Sequence, residues 1–139
     1  MRYRLNIVVV VAVVVGFIVS LIGAGGVFAA PDLSMRTSTE AAVTVKATPT
    51  DLSGDPWRFD IVFDTHSHAL TDDLQKGARL VADGGKTHSP LAWRGDPPGG
   101  HHRKGVLEFK AIAPLPASIE LQIAREGEAQ PRSFKWSLK

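Results

Sequence analysis

The chain of 139 residues has no cysteine. That excludes disulfides, a thiolate nucleophile, cysteine-ligated metal centres and a lipid-modified N-terminal cysteine, so the fold depends on its core or on a bound ligand. Phosphate-cradling and dinucleotide-binding glycine motifs are missing. So is the Gly-x-Ser-x-Gly elbow of a serine hydrolase. An excess of one charge is missing too, once the chain is divided. All fourteen Asp and Glu lie beyond residue 29, together with fourteen of the sixteen Lys and Arg. The formal charge of +2 and the pI near 9.2 therefore come from Arg2 and Arg4. The remainder is neutral, which argues against a nucleic-acid partner, because phosphate binding needs a basic face.

One long apolar run is present, from Leu5 to Ile22, broken only by Asn6 and Ser20. Two arginines before such a run have the form of an export signal, and the positive residues are expected to stay in the cytoplasm. Its length approaches the roughly 20 residues that span a bilayer core, which favours an uncleaved anchor across the cytoplasmic membrane with the C-terminal part outside. Val27-Phe28-Ala29 also offers a signal-peptidase site, and cleavage after Ala29 would instead release a secreted domain. The expected organisation is a signal-anchor or signal peptide over 1–29, a polar tether over 30–41, and one domain over 42–139.

From Ala42 the pattern has period two, as in strands with one buried face. Val43, Val45 and Ala47 alternate with Thr44, Lys46 and Thr48. Trp57, Phe59, Ile61 and Phe63 then form one large apolar face, too costly to leave in water. Further strands are expected at 79–82, 87–93, 105–111, 118–125 and 132–138. The turns are Asp51 to Pro56, Asp83-Gly84-Gly85-Lys86 and Glu126-Gly127-Glu128, and Thr71-Asp72-Asp73 caps a helical turn through Lys76. Pro114 and Pro116 mark a stiff connector. Trp57, Trp93 and Trp136 read as core aromatics. About seven short strands with almost no helix imply an all-β fold, an immunoglobulin-like antiparallel β-sandwich, with a small closed barrel as the alternative.

Chemistry concentrates in the histidines. His66 and His68 follow the strand from Trp57, while His101 and His102 follow Gly99-Gly100; His88 stands alone and reads as solvated surface. Were that strand to run on, Asp64, His66 and His68 would share a face at spacings of about 6.8 Å. Imidazoles and a carboxylate so placed suit zinc or copper, giving Asp64, His66, His101 and His102 as candidate ligands, with His68 an additional one. Adjacent residues in extended chain face opposite ways, so only one of His101 and His102 is expected to reach a shared centre. The same residues could instead clasp two loops through an imidazole–carboxylate pair, with no ligand. Arg103 and Lys104 add positive charge beside His102 and suggest a third reading, an anion or lipid head-group site. Ser67, His101 and Asp64 are the right types for a triad, but no elbow or oxyanion loop accompanies them, and the chain is not expected to be an enzyme.

The strings Asp64-Thr65-His66-Ser67 and Gly99-Gly100-His101-His102, with Trp57-x-Phe59, Asp72-Asp73-Leu74, Trp93-x-Gly95 and Gly105-x-Leu107-x-Phe109, resemble an uncharacterised family of small exported bacterial and archaeal β-domain proteins. The resemblance covers about Val43 to Leu138. It implies a membrane-tethered or secreted β-sandwich and assigns no activity. His66, His101 and His102 carry over by motif match. His68 falls outside the pattern, which leaves Asp64, His66 and one of the paired histidines as the better trio.

Overall fold

The structure, a computed structural model, describes residues 25–26 and 29–139. The apolar run 5–22 and most of the peptidase motif lie outside the described residues. Among the described residues no helix is long and apolar enough to cross a membrane.

Nine strands form two antiparallel sheets among these residues. The strands are β1 (Arg36–Glu40), β2 (Val43–Asp51), β3 (Trp57–Thr65), β4 (Ala78–Ala82), β5 (Thr87–His88), β6 (Ala92–Gly95), β7 (His102–Phe109), β8 (Ser118–Ile123) and β9 (Arg132–Ser137). A single helical turn, α1 (Leu74–Gly77), precedes β4, capped by the Asp73 carboxylate, which accepts from the Lys76 amide at 3.2 Å. One sheet has the order β1-β2-β3-β7-β6 and the other β5-β4-β8-β9. Both contribute to one buried cluster. Val43, Val45, Ala47, Phe59, Ile61, Phe63 and Leu107 come from the first; Leu80, Leu121, Ile123, Phe134 and Trp136 come from the second. The period-two pattern is what assembles it: each strand turns alternate side chains inward, and full burial of a large apolar side chain contributes about 1.5–3 kcal/mol.

The strand count exceeds the sequence expectation in two places. First, the segment expected as a tether carries β1, which pairs along β2 from Arg36↔Ala47 to Glu40↔Val43. The turn between them is only Ala41-Ala42, both with positive φ (47° and 60°). Two-residue hairpin turns with both central residues left-handed normally use Asn or Gly, and alanine there costs about 1–2 kcal/mol per residue. Second, the strand expected over 87–93 divides. β5 pairs with β4, and after Ser89-Pro90-Leu91 the chain crosses to pair as β6 with β7. Proline supplies no ladder donor, which permits the break there.

Arg132 holds the strained hairpin. Its side chain is fully buried. Nη1 donates to the carbonyls of Ser38 and Val43, both at 3.1 Å, and Nη2 to that of Glu40 at 2.8 Å. Nε and Nη2 also grip the two carboxylate oxygens of Glu128, each at 2.7 Å. Thr65 Oγ1 donates to the Ala42 carbonyl at 2.9 Å. Arg132→Met should leave those carbonyls and Glu128 Oε2 without their donor and cost about 3–5 kcal/mol, the range for breaking a buried ion pair. Urea unfolding of residues 29–139, which contain the buried cluster of the described residues, measures it; a loss below about 1 kcal/mol, the scale of an exposed pair, would show that the hairpin does not depend on Arg132.

Candidate functional site: the distal loops

The two ends of the domain are built differently. At the end far from where the chain enters β1, here the distal end, lie the 41–42 turn and the loops 66–73, 96–101 and 124–131. At the proximal end lie the loops 52–56, 83–86 and 110–117.

β3 stops at Thr65, and the chain bends through His66–His68 instead of running on. The shared face expected for Asp64, His66 and His68 therefore does not form. β7 begins earlier than expected, at His102, which lies directly opposite Asp64 in the ladder. Its Nδ1 is hydrogen-bonded to Asp64 Oδ1, and Lys46 Nζ lies 3.9 Å from Asp64 Oδ2. His66, His68 and His101 are exposed. Among the described residues no group of three or more His, Asp or Glu is placed to hold a metal ion. Asp64 pairs with His102, not with the His101 of the candidate triad. His88, expected as solvated surface, is half-buried in β5, with its Nε2 enclosed and unpartnered.

Arg103 and Lys104 do not form a joint cationic site. As neighbours on β7 they take opposite faces of the sheet. Arg103 is buried, with Nε donating to the Asp96 carbonyl at 3.0 Å and Nη1 to the Asp72 carbonyl at 2.6 Å. Its guanidinium lies 5.4 Å from the Trp93 ring centroid. That ring fits because Gly95 and Gly105 face each other across β6 and β7: a Cβ on either would come within 2.8 Å of Trp93 and closer still to the opposite backbone. Lys104 is exposed.

The histidine loops are joined chiefly by backbone. Thr65 N–H donates to the His101 carbonyl at 2.9 Å, Leu70 N–H to the Gly100 carbonyl at 3.0 Å, and Gly99 N–H to the Leu70 carbonyl at 2.8 Å. Gly99 and Gly100, with φ of 122° and 71°, turn the chain so that both polar groups of Leu70 are met, while the Leu70 side chain is fully buried in the core.

Arg125 completes the distal end. It donates from Nε and Nη2 to the Asp72 carboxylate at 2.9 and 3.3 Å, from Nη1 to Glu128 Oε1 at 2.9 Å, and lies 5.9 Å from the Phe63 ring centroid. Glu128 thus sits between two arginines. The Arg132 hydrogen bonds hold its carboxyl below its ordinary value, and Glu128 in turn raises that of Arg132. Beside this cluster opens a cleft of about 650 Å³, bordered by Ala41, His68, Thr71, Asp73, Lys76 and Glu126. His68, the histidine outside the family-like pattern, is the one that lines it.

Sequence reasoning singles out none of these arginines for a distal site, apart from Arg103 as an anion ligand. A signal for them is present. Each continues the inward alternation of its strand, as Arg103-x-Gly105-x-Leu107, Ile119-x-Leu121-x-Ile123-x-Arg125 and Arg132-x-Phe134-x-Trp136.

The weight of each contact can be measured. His102→Ala removes an exposed pair and should cost no more than about 1 kcal/mol, whereas Leu70→Ala should cost about 2–5 kcal/mol; equal losses in urea unfolding would make the imidazole the main clasp. Because the Glu128 carboxyl is depressed on folding, its stabilisation is complete above its ordinary value of 4.5 and is lost as pH falls through the depressed folded value. Glu128→Gln should flatten that acid limb of the stability profile, and an unchanged limb would assign it to other carboxylates.

Compared with protein-family models, with curated proteins and with solved structures, the chain matches none.

Proposed function

We propose that the chain is a membrane-tethered, extracytoplasmic interaction module: an immunoglobulin-like β-sandwich held at the outer side of the cytoplasmic membrane by residues 5–22, with its distal cleft offered to a protein partner. The strand order supports the fold. With β2 as strand A, the sheets read A-B-E-D and C′-C-F-G, the immunoglobulin arrangement, and β1 is an added strand beside A. The observation that carries the functional reading is the build of the distal end. Three arginines at core-facing positions lock its loops through their carbonyls and carboxylates, leaving a preformed cleft with mixed charge on its rim. A preformed concave surface lowers the ordering cost of binding.

On this reading the histidines shape the surface. One cross-strand Asp64–His102 hydrogen bond, loops joined by backbone and three further exposed imidazoles favour a structural role over a shared zinc or copper centre. Cleavage after Ala29 would yield the same module in secreted form.

Photo-crosslinking side chains introduced in cells at Thr71 and Glu126, beside the cleft, and at Thr48, on the outer sheet face, test the interaction. The expected result is one discrete, mass-identified protein adduct from the cleft positions and none from Thr48. No adduct from either cleft position would remove the reading. Zinc or copper titration of residues 29–139 covers the metal alternative. Stoichiometric binding lost in His66→Ala/His101→Ala would replace the clasp with a metal module.

A further inference from the structure

We propose that the proximal end of the domain is a second functional surface, which lies against an anionic phospholipid head-group layer through the 110–117 loop. This rests on the tethered reading above and adds a fixed orientation to it.

The first observation is where the tether meets the domain. β1 runs from the middle of β2 toward the distal turn, so the chain before it approaches from the proximal side. Trp136 Nε1 donates to the Ser34 carbonyl at 2.8 Å, and Leu33 packs against the core. Between the end of the apolar run at Ile22 and Leu33 lie the ten residues Gly23 to Asp32. Ten residues reach at most about 35 Å fully extended. A domain of this size has a radius of gyration of about 13 Å and is about 35 Å across. From Leu33 to the distal turn is eight residues of extended chain, about 26 Å, so the tether can bring the distal end to the bilayer only by lying largely extended along the domain, whereas the proximal end meets it without extension.

The second observation is the chemistry of that end. Ala111 to Ala117 (Ala-Ile-Ala-Pro-Leu-Pro-Ala) carries no charge. Leu115 is 45% exposed and Met35, just before β1, is 53% exposed; among the described residues only Leu91 is another large exposed hydrophobic. Two exposed acids hold the loop. Asp55 Oδ1 accepts from the Ala111 amide at 3.0 Å, and Asp83 accepts from the amides of Ala117 and Ser118 at 2.5 and 3.0 Å. Asp55 and Asp83 are exposed but engaged by loop amides, while Lys86, Lys110 and Lys139 at this end are exposed and form no ion pair among the described residues. An apolar tip with unpaired lysines at the same end of the domain suits insertion at the head-group level of an anionic leaflet.

The absence of cysteine allows single-site labelling of the full chain. Leu115→Cys and, at the distal end, Glu126→Cys would each carry an environment-sensitive fluorophore. Each labelled chain is reconstituted into phosphatidylglycerol/phosphatidylcholine vesicles containing a lipid-borne nitroxide quencher. Expected are co-flotation of both chains with the vesicles, a blue shift and quenching at 115, and neither at 126. Co-flotation with no quenching at 115 overturns this proposal and leaves the tether intact. Failure to co-float overturns the tethered reading, and this proposal with it. Quenching at 126 alone reverses the orientation. Equal quenching at 115 in phosphatidylcholine alone overturns the anionic preference.

Discussion

The distal half of this fold depends on one buried guanidinium. Arg132 has no access to water, and an arginine so placed is costly unless every donor is met. It is met here by the Glu128 carboxylate and by carbonyls of β1 and β2. The planar fork suits this task, since it engages a carboxylate on one side and spread carbonyls on the other, which a lysine ammonium does not match. In exchange for desolvation the chain gains a hairpin whose turn residues do not favour it, and a fixed position for Glu128. Glu128 sets Arg125, Arg125 sets Asp72, and the Asp72 carbonyl receives Arg103. The distal loops are thus one connected polar network, and loss of any member leaves others unpaired.

The two ends use opposite chemistry. Distally, cations inside the domain hold loop carbonyls. Proximally, the carboxylates of Asp55 and Asp83 hold loop amides, and the Ala117 amide depresses the Asp83 carboxyl. The distal device keeps a cleft open with charges on its rim. The proximal one leaves an uncharged loop outermost.

Much of the core was legible because it rests on strands with one wet face. Trp57, Phe59, Ile61 and Phe63, and likewise Ile119, Leu121 and Ile123, alternate without exception, and all are buried. β1 was not legible, because Arg36 to Glu40 has no apolar face and its turn contains neither glycine nor asparagine; the side chain that ties the hairpin's carbonyls, Arg132, comes about ninety residues later in the chain. The division of 87–93 turns on Pro90, whose meaning depends on which sheet the next strand joins. For the histidines, clustering was visible but direction was not. Whether the strand continued past Thr65 decided if His66 faced Asp64, and that was settled by Leu70 pairing with Gly99 and Gly100. Arg103 and Lys104 looked like one cationic patch because adjacency in sequence hides the alternation of faces.

The first and last strands lie side by side: Arg36 Nε donates to the Lys135 carbonyl at 3.1 Å, and Trp136 reaches back to Ser34. Synthesis delivers β1 and β2 long before β9. Until β9 emerges, the early hairpin has a strained turn and no guanidinium to hold it. The N-terminal hairpin therefore settles only after Arg132 has been made, and the distal end of the fold is the last to close.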